Sequence, residues 1–358
     1  MSVSITAARN VGLCSMSEYI WNLADLKKVK PNGYKVFSCF SCGGGSSMGY
    51  KRAGFEVVGN CEIDPAMNEL YKKNMHPRWS YEMGVQDFKL LEDLPAELYG
   101  IDVLDGSPPC STFSMAGNRE DDWGKEKKFR EGQAKQVLSD LFFEFIDVAE
   151  KLKPKIVISE NVKGIVLGNA RSYMNSILKA FDAIGYDTQV FLLNAAAMGV
   201  PQRRERVFLV SRRKDLRLEP MKMPAFKERP VPYGEFANQD FRPLKGAQEV
   251  DRWKKRKDSD HSTGDVVKRT EKGKVSGFTA GYLKRNEVAP TVTAGDSLVR
   301  FDVCGRPSFR DITVMQTFPQ DYDFGSASPA YVCGMSVPPL MMEKVAKQVQ
   351  IQLLDRMT

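Results

Sequence analysis

The sequence predicts an α/β protein in which helices cover both faces of a largely parallel sheet. The first 210 residues alternate strand-like apolar runs with helix-like runs, which is the pattern of consecutive βα units. A chain of 358 residues is long enough to bury a sizeable core and to form two structural units. No run approaches the roughly 18 apolar residues that a membrane-spanning helix needs, so no membrane association is expected.

The first strands and the first helix follow closely on one another. The run YKVFSCF (34–40) predicts a strand, and a glycine-rich turn leads from it into the helical run SSMGYKRAG (46–54). The apolar runs EVVGNCEID (56–64) and IDVL (101–104) continue the series as strands. Strands joined by helical crossovers run parallel, so these runs predict neighbouring parallel strands.

Two amphipathic helices separate the later strands, and a third ends the chain. The run 139–153 stops at Pro154 and places four apolar residues on one helical face, namely Leu141, Phe145, Val148 and Leu152. The run SYMNSILKAFDAIG (172–185) predicts the second helix, ending at Gly185. The strands predicted around it are KIVISEN (155–161), DTQVFLLNA (187–195) and RVFLVS (206–211). The amphipathic run 338–357 is expected to return to the first domain.

From about Ser211 the alternation breaks down. Prolines between 220 and 243, the charged run DRWKKRKD and the run HSTGD show no sustained helical period, and they predict a separate, irregular module. Residues 211–289 hold 20 Lys and Arg against 12 Asp and Glu, whereas the whole chain has a net charge of +7. The positive excess therefore lies in this segment, which is typical of a domain that binds a polyanion.

The cysteines do not have the spacing of a disulfide framework. All seven are expected to be reduced thiols in a chain of this length. Cys39 and Cys42 form a C-x-x-C pair, but the chain has two histidines and no second cysteine pair, so we predict no metal site. The N-terminus lacks the basic and apolar regions of a signal peptide, and we expect a cytoplasmic protein.

Chemistry-bearing residues fall at the predicted strand ends, where open α/β sheets bind ligands. The glycine turn after the first strand and Glu62 after the second predict a cofactor that contains adenosine, either a dinucleotide or S-adenosylmethionine. Cys110 follows Pro108 and Pro109 just beyond the strand IDVL. Two prolines force a turn and would hold this thiol stiffly, although an isolated cysteine is equally well explained as an inert core residue.

Two more polar groups belong to the same predicted edge. Glu160 comes at the end of the strand KIVISEN. There it would either bind a ligand or cap backbone N–H groups. The run PQRRERVF (201–208) adds three arginines beside a strand. They would either donate hydrogen bonds to a polar ring and a phosphate or belong to a solvent-exposed basic turn.

In their order and spacing, these motifs resemble those of the C5-cytosine-specific DNA methyltransferase family. The resemblance covers about residues 36–210 and 289–342. The run FSCGGGSSMG (40–49) is similar to the family's cofactor loop, and GSPPCSTFS (106–114) is similar to its nucleophile loop. The remaining motifs are EID (62–64), QD (86–87), ENV (160–162), QRRER (202–206), APTVTAG (289–295), RDITVMQTFPQDY (310–322) and GMSVPP (334–339).

The resemblance implies roles for individual residues. Cys110 is the thiolate that adds to carbon 6 of cytosine, Glu160 engages N3 and the exocyclic amine, and Arg206 donates to the carbonyl with support from Arg204. S-adenosylmethionine is the implied cofactor. The residues implied to surround it are Phe40, Cys42, Gly43, Gly44, Gly45, Glu62, Ile63, Asp87, Phe88, Pro109, Leu141 and Ser336.

Three positions depart from the family's pattern. Cys42 stands where the cofactor loop usually has its first glycine, so the turn must tolerate a Cβ atom there. Met335 stands in place of an asparagine, which removes a polar contact near the cofactor, and Val314 replaces an arginine. None of the three is among the implied catalytic residues.

The resemblance also implies the architecture and the partners. A Rossmann-like methyltransferase domain is expected over 1–211, completed by 322–358, with a small target-recognition domain over 212–321. The implied enzyme is a DNA (cytosine-5) methyltransferase that flips its target base from double-stranded DNA, acts as a monomer at the bacterial or phage nucleoid, and has a restriction endonuclease as a possible partner. The alternatives are an RNA cytosine-5 methyltransferase of the same fold, a non-catalytic DNA-binding relative and a nicotinamide dehydrogenase.

Overall fold

A computed structural model gives the structure of residues 18–109, 141–168, 170–271 and 279–357, together with the backbone of the antiparallel pair Glu126–Lys127 and Gln136–Val137. Cys110 and most of the segment that follows it, up to 140, lie outside the described residues. In the part that is described, no helix is long and apolar enough to cross a membrane.

A seven-stranded sheet forms the centre of the molecule. Its order is β3-β2-β1-β4-β5-β7-β6, and every neighbouring pair is parallel except those that include β7, which runs antiparallel to β5 and to β6. The strands are β1 (Lys35–Cys39), β2 (Glu56–Cys61), β3 (Trp79–Tyr81), β4 (Val103–Gly106), β5 (Ile156–Val162), β6 (Tyr186–Asn194) and β7 (Glu205–Arg213). The predicted α/β fold with a mainly parallel sheet is therefore confirmed.

Ten α-helices accompany the strands among the described residues. They are α1 (Gly45–Arg52), α2 (Pro65–Met75), α3 (Val85–Phe88), α4 (Leu141–Leu152), α5 (Ala170–Ala183), α6 (Ala247–Lys254), α7 (Thr263–Thr270), α8 (Phe309–Met315), α9 (Pro329–Met335) and α10 (Pro339–Gln352). Short 3-10 turns occur at Leu23–Lys28, Ala96–Leu98, Lys163–Val166, Ala195–Met198, Lys214–Leu216, Tyr233–Glu235 and Leu354–Arg356.

Helices cover both faces of the sheet. Helices α3, α4 and α5 bury apolar residues such as Phe88, Phe145 and Phe181 against one face. Helices α1 and α10 bury Tyr50, Val345 and others against the opposite face. The apolar residues alternate along the strands because successive side chains of a strand point to opposite faces. The chain's last long helix thus packs on its first one.

The segment after Ser211 contains more regular structure than the sequence predicted. The prediction that it is irregular is wrong for α6 and α7, both of which are eight-residue helices. Helix α7 starts within the run HSTGD at a capping box, in which the Asp265 carboxylate accepts from the backbone N–H and the hydroxyl of Ser262. Four short strands complete this region, namely β8 (Phe241–Pro243), β9 (Gly281–Leu283), β10 (Leu298–Arg300) and β11 (Gly305–Pro307).

A small core holds α7, β9 and β10 together, and it contains Val266, Tyr282 and Val299. The residues that follow β11 belong to a different core. Val314 and Phe318 are fully buried together with Tyr71 of α2. Residues 309–322 therefore pack on α2, the helix that follows β2.

Gly49 allows α1 and α10 to approach closely. A Cβ atom at this position would lie 2.4 Å from the Cβ of Met342 and 2.6 Å from the carbonyl oxygen of Pro339. Both atoms belong to rigid parts of α10 and cannot swing away. We expect Gly49→Ala to lower the free energy of unfolding by about 1–3 kcal/mol, as overpacked core substitutions do.

Denaturant unfolding monitored by circular dichroism measures this loss. Gly295→Ala is the matched control, because a Cβ atom there would have no neighbour within 4 Å and should change stability by less than about 0.5 kcal/mol. Equal stability of Gly49→Ala and Gly295→Ala would contradict the close packing of the two helices.

Candidate active site

One edge of the sheet collects the predicted site residues. Strands β1, β2, β4 and β5 all end at this edge, and the antiparallel β7 begins there. We call it the site edge. Glu62 follows β2, residues 107–109 follow β4, Glu160 lies near the end of β5, and Arg206 lies at the start of β7.

The turn after β1 has an unusual backbone. Phe40, Cys42 and Gly44 all have positive φ angles, of 52°, 44° and 81°. Glycine adopts such angles freely, whereas a side chain at a left-handed position costs about 1–2 kcal/mol. The turn therefore accepts the Cβ atom of Cys42, as predicted, but with a strained backbone at this residue. A 2.7 Å hydrogen bond from the Cys42 amide to Glu62 holds it in this conformation.

Glu62 ties the turn to the end of β2. Its Oε2 accepts from the amide of Cys42 at 2.7 Å, and its Oε1 accepts from the amide of Asp64 at 2.9 Å. Burial raises the pKa of Glu62, while the backbone donors act in the opposite direction. Each carboxylate oxygen can accept more than one hydrogen bond, so this group retains acceptor capacity for the hydroxyls of a ribose.

Close contact with later residues of the chain requires glycine at two positions of the turn. A Cβ atom at Gly43 would lie 2.3 Å from a side-chain atom of Val332, and one at Gly45 would lie 2.3 Å from the carbonyl oxygen of Val337. The turn is therefore pressed against α9 and the residues after it. These contacts explain Gly43 and Gly45 through packing alone, whatever ligand lies on the other side.

The other predicted cofactor residues fall into two groups. Phe88 and Leu141 are buried in the core between the sheet and α4, and Phe88 stacks on Phe37 with ring centroids 5.2 Å apart. Asp87 is exposed at the start of α3, and Ile63 and Pro109 are partly exposed at the site edge. Of the predicted cofactor residues outside the turn, Asp87, Ile63 and Pro109 thus retain solvent-accessible surface.

Ser336 is buried beside the turn, and its polar atoms are used within the protein. Its hydroxyl donates to the carbonyl of Val332 at 2.8 Å, and its own carbonyl accepts from Arg204 and Gln316. The neighbouring Met335, which departs from the family's pattern, is 43% exposed. Val314, the third departure, is fully buried in the core.

Glu160 and Arg206 form an ion pair at the site edge. The Arg206 Nε atom lies 2.9 Å from Oε1 of Glu160, and both side chains are largely buried. The antiparallel pairing of β5 with β7 places Arg206 opposite Val162, two residues beyond Glu160. Burial lowers the pKa of Arg206, and the charge of Glu160 opposes this effect. The two predicted groups are therefore held next to each other by strand register.

The loop that leads to Cys110 is held by Asn161, which the sequence analysis did not single out. The Asn161 side-chain amide donates to the carbonyl of Pro108 at 3.0 Å. The residue next to Glu160 thus fixes the start of the predicted nucleophile loop. Cys110 itself lies outside the described residues. In the same described part of the chain, no three His, Cys, Asp or Glu side chains are grouped so as to hold a metal ion.

Arg204 has different surroundings from Arg206. Its side chain is 2% exposed, and its guanidinium donates to the carbonyls of Val292 at 2.9 Å, Gly334 at 3.0 Å and Ser336 at 2.9 Å. Burial lowers the pKa of Arg204, and the positive charge of Arg206 adds to this effect. The three carbonyls compensate for the buried charge, so this side chain joins two distant segments of the chain.

Asp105 is a buried acid near the site edge that the sequence analysis did not identify as important. It is 2% exposed on β4, and three hydroxyls donate to its carboxylate. The donors are Ser38 at 2.8 Å, Ser46 at 2.7 Å and Tyr50 at 3.3 Å. Burial raises the pKa of Asp105 to about 6, against the effect of these donors. The only sequence signal was an acid inside an otherwise apolar strand.

The raised pKa of Asp105 makes stability depend on pH. An unfolded aspartate ionises near its ordinary pKa of 3.8, whereas the folded one ionises at about 6. The folded state is therefore favoured below pH 4, and this advantage is lost as the pH rises through 6. The free energy of unfolding should fall between pH 4 and 6, relative to that of Asp105→Asn, by on the order of 3 kcal/mol.

Urea unfolding of both proteins at half-unit pH steps measures this difference. Subtraction of the Asp105→Asn values removes the contribution of the other titrating groups, which the two proteins share. A difference that is constant or that rises with pH would show that Asp105 is not a buried carboxyl with a raised pKa.

Comparison with known proteins agrees with this geometry. Residues 34–298 match the model of the C-5 cytosine-specific DNA methylase family. The chain is 35% identical to the Type II methyltransferase M.FnuDI of Fusobacterium nucleatum over 193 residues, which is 53% of this chain and 50% of that protein. It is 27% identical to M1.HphI of Haemophilus parahaemolyticus over 337 residues, which is 87% of this chain and 85% of that protein.

A solved structure shares the fold. A prophage-encoded protein of Escherichia coli, described as a DNA modification methyltransferase, has a TM-score of 0.65 at 20% identity over 90% of this chain and 100% of its own. The match to M.FnuDI spans only about half of that relative's length, whereas the family model spans most of this chain. The predicted resemblance and the Rossmann-like methyltransferase fold are confirmed, and the chain belongs to the C-5 cytosine-specific DNA methylase family.

Proposed function

We propose that the protein is a DNA (cytosine-5) methyltransferase that uses S-adenosylmethionine and forms a covalent adduct between Cys110 and its target base. The observation that carries the proposal is the Glu160–Arg206 pair, which lies at the same edge as the glycine turn and the loop leading to Cys110. The family assignment and the similarity to bacterial Type II methyltransferases support it.

The chemistry requires a nucleophile at this place. Carbon 5 of cytosine is too poor a nucleophile to take a methyl group directly. A thiolate that adds to carbon 6 makes carbon 5 behave like an enamine carbon. Cys110 follows Pro109 immediately, and the loop before it is fixed by the Asn161–Pro108 hydrogen bond. Arg206 is a cation at the site edge, and its positive charge would favour the thiolate.

Glu160 and Arg206 would bind the polar edge of the flipped base. A carboxyl group matches N3 and the exocyclic amine, whereas a guanidinium matches the carbonyl oxygen. The two groups are already paired and largely buried, so they need no large rearrangement to face a base. We assign Arg204 a supporting role, because its Nη1 and Nη2 atoms already donate to three carbonyls of the protein.

The residues at the edge fit an adenosine cofactor. Glu62 would accept the ribose hydroxyls, and the exposed Asp87 would contact the adenine. The turn is assigned to the cofactor through Phe40, Cys42, Gly43, Gly44 and Gly45, with Ile63, Pro109 and Ser336 around it. Phe88 and Leu141 would support that pocket from the core. When bound, S-adenosylmethionine supplies the electrophilic methyl group.

We propose that the target-recognition domain for double-stranded DNA lies within residues 212–321, ahead of the stretch 309–321 that packs on α2. The excess positive charge of the chain lies in its first 78 residues. The exposed lysines of this segment include Lys254, Lys257 and Lys268. Arg256 stacks over Trp253 with its guanidinium carbon 3.5 Å from the ring centroid. Phosphate contacts from such a surface supply affinity, and a few side chains in a groove select the sequence.

The biological setting follows from the same proposal. The bacterial relatives are Type II methyltransferases, and we propose action on DNA in the bacterial cytoplasm at the nucleoid, as a monomer. A restriction endonuclease of the same specificity would be the partner. An RNA cytosine-5 methyltransferase is the rival function, and it is decided by the substrate that accepts the methyl group.

Methyl transfer from labelled S-adenosylmethionine tests the proposal. We expect the full-length protein to label double-stranded DNA and not tRNA, and bisulfite sequencing should place the modification at cytosines in one sequence context.

Cys110→Ala should lower the rate by roughly 10³-fold or more, because the nucleophile is lost. Glu160→Gln should lower it by roughly 10²-fold or more, because the base loses a partner that can hold a proton.

Cys304→Ala is the matched control, since Cys304 is a partly buried thiol between β10 and β11, where none of the proposed catalytic, cofactor or DNA-contacting side chains lies. It should methylate like the wild type. Activity of the Cys110→Ala protein equal to that of Cys304→Ala would refute the covalent mechanism. Labelling of tRNA alone would refute DNA as the substrate.

A further inference from the structure

The carboxylate of Asp105 joins three elements that the proposed reaction uses. Asp105 lies on β4, opposite Ser38 of β1 on one side and Ile158 of β5 on the other. It is the fifth residue before Cys110 along the chain. Its position therefore connects the strand that leads to the proposed nucleophile with the strand that leads to the glycine turn.

Two of the three donors come from the helix that follows the glycine turn. Ser46 and Tyr50 are four residues apart on α1, so they share one helical face. Ser46 donates to Oδ2 at 2.7 Å, and Tyr50 donates to Oδ1 at 3.3 Å. Ser46 is the residue immediately after Gly45, so this hydrogen bond fixes the end of the turn over β4.

The carboxylate is surrounded by neutral donors and by another acid. In the described chain, the donors that hydrogen-bond to it are hydroxyls, and the negative charge of Glu160 on β5 disfavours its ionisation further. Burial raises the pKa of Tyr50 on α1 and that of Cys39 on β1. The negative charge of Asp105 raises both pKa values further. Both groups therefore stay neutral, and the charge of this cluster changes through Asp105.

The described elements packed around α1 place a neutral phenol and an ion pair near the cluster. On α2, burial raises the pKa of Tyr71, whose hydroxyl contacts that of Ser47 at 2.7 Å. On α10, the carboxylate of Glu343 pairs with Arg52 of α1, with Nε and Oε2 2.7 Å apart. The ion pair and the neutral phenol leave the ionisation of Asp105 to the groups already named.

We propose that Asp105 is a positioning residue of this site, whose ionised carboxylate holds α1 and the glycine turn in register with the strand that leads to Cys110. The proposal rests on the proposed function, because it assigns the turn to S-adenosylmethionine. Hydrogen bonds from hydroxyls are stronger to a carboxylate than to a neutral carboxyl. Protonation of Asp105 therefore loosens the hold on Ser46, and cofactor affinity falls with it.

Equilibrium binding of S-adenosylmethionine to the full chain, measured by calorimetry from pH 5 to 8, tests this coupling. Binding to the wild type should weaken about tenfold as the pH falls through about 6, which corresponds to one charge-assisted hydrogen bond. Asp105→Asn should bind with an affinity that does not change over this pH range. Circular dichroism at each pH establishes that each protein is folded.

Ser46→Ala and Ser47→Ala form the matched pair. Loss of the Ser46 donor removes a hydrogen bond that favours the carboxylate, so the midpoint of the binding profile should move to higher pH. Ser47→Ala removes a hydroxyl from the same helical turn that contacts Tyr71 instead, and its midpoint should match that of the wild type. A merely structural role of Ser46 would lower affinity at every pH without moving the midpoint.

The outcomes separate this inference from the proposed function. A wild-type profile that persists in Asp105→Asn, or equal midpoints in Ser46→Ala and Ser47→Ala, would overturn the role of Asp105. Absence of cofactor binding by the wild type at every pH would instead refute the proposed function. The predicted pattern is a flat profile in Asp105→Asn, a raised midpoint in Ser46→Ala and an unchanged midpoint in Ser47→Ala.

Discussion

The assembly of the site depends on the buried side chain of Arg204. Its guanidinium donates to three carbonyls that belong to residues 88 to 132 positions later in the chain. A buried cation is costly unless its donors are satisfied, and carbonyl oxygens of irregular backbone are equally costly without donors. Each partner therefore needs the other. This mutual requirement fixes Val292, Gly334 and Ser336 against the start of β7.

The neighbours of Arg204 extend the same connection. The Gln202 amide donates to the carbonyl of Met315 at 2.7 Å and to Oε1 of Gln316 at 2.6 Å, while its oxygen accepts from the amide of Val292. Gln316 in turn donates to the carbonyl of Ser336. The chain enters β7 at Glu205, and Arg206, two residues after Arg204, pairs with Glu160. The run 202–206 therefore joins the segments around Val292 and Ser336 to the sheet. It also supplies Arg206 to the proposed base pocket.

This arrangement explains how a family with motifs spread over the whole chain forms one site. The glycine turn is pressed against Val332 and Val337, which belong to the late segments that Arg204 helps to hold. Asp105 holds the other side of the turn through Ser46. The turn thus lies between two buried polar anchors, and its strained residue Cys42 is held by Glu62. Displacement of either anchor should therefore reach the cofactor loop first.

Much of the fold was predictable because local patterns determine it. The β-branched run before Glu160 and the apolar face of α4 required only periodicity. Helix α7 was missed because two turns are too short for a period, although the Ser262 capping box was readable. The different surroundings of Arg204 and Arg206 could not be predicted, since the burial of Arg204 depends on residues 88 to 132 positions away. Asp105 was missed for the same reason.

Amide hydrogen exchange measured by mass spectrometry on Arg204→Met and Arg206→Met tests the central role of Arg204 most directly. Methionine retains an apolar stem at both positions and removes the donors. Exchange in residues 289–295 and 332–337 should accelerate by about tenfold or more in Arg204→Met, as expected for the loss of a charge-assisted hydrogen bond. It should stay near the wild-type rate in Arg206→Met. Unchanged exchange in Arg204→Met, or equal acceleration in both variants, would show that Arg204 does not hold these segments.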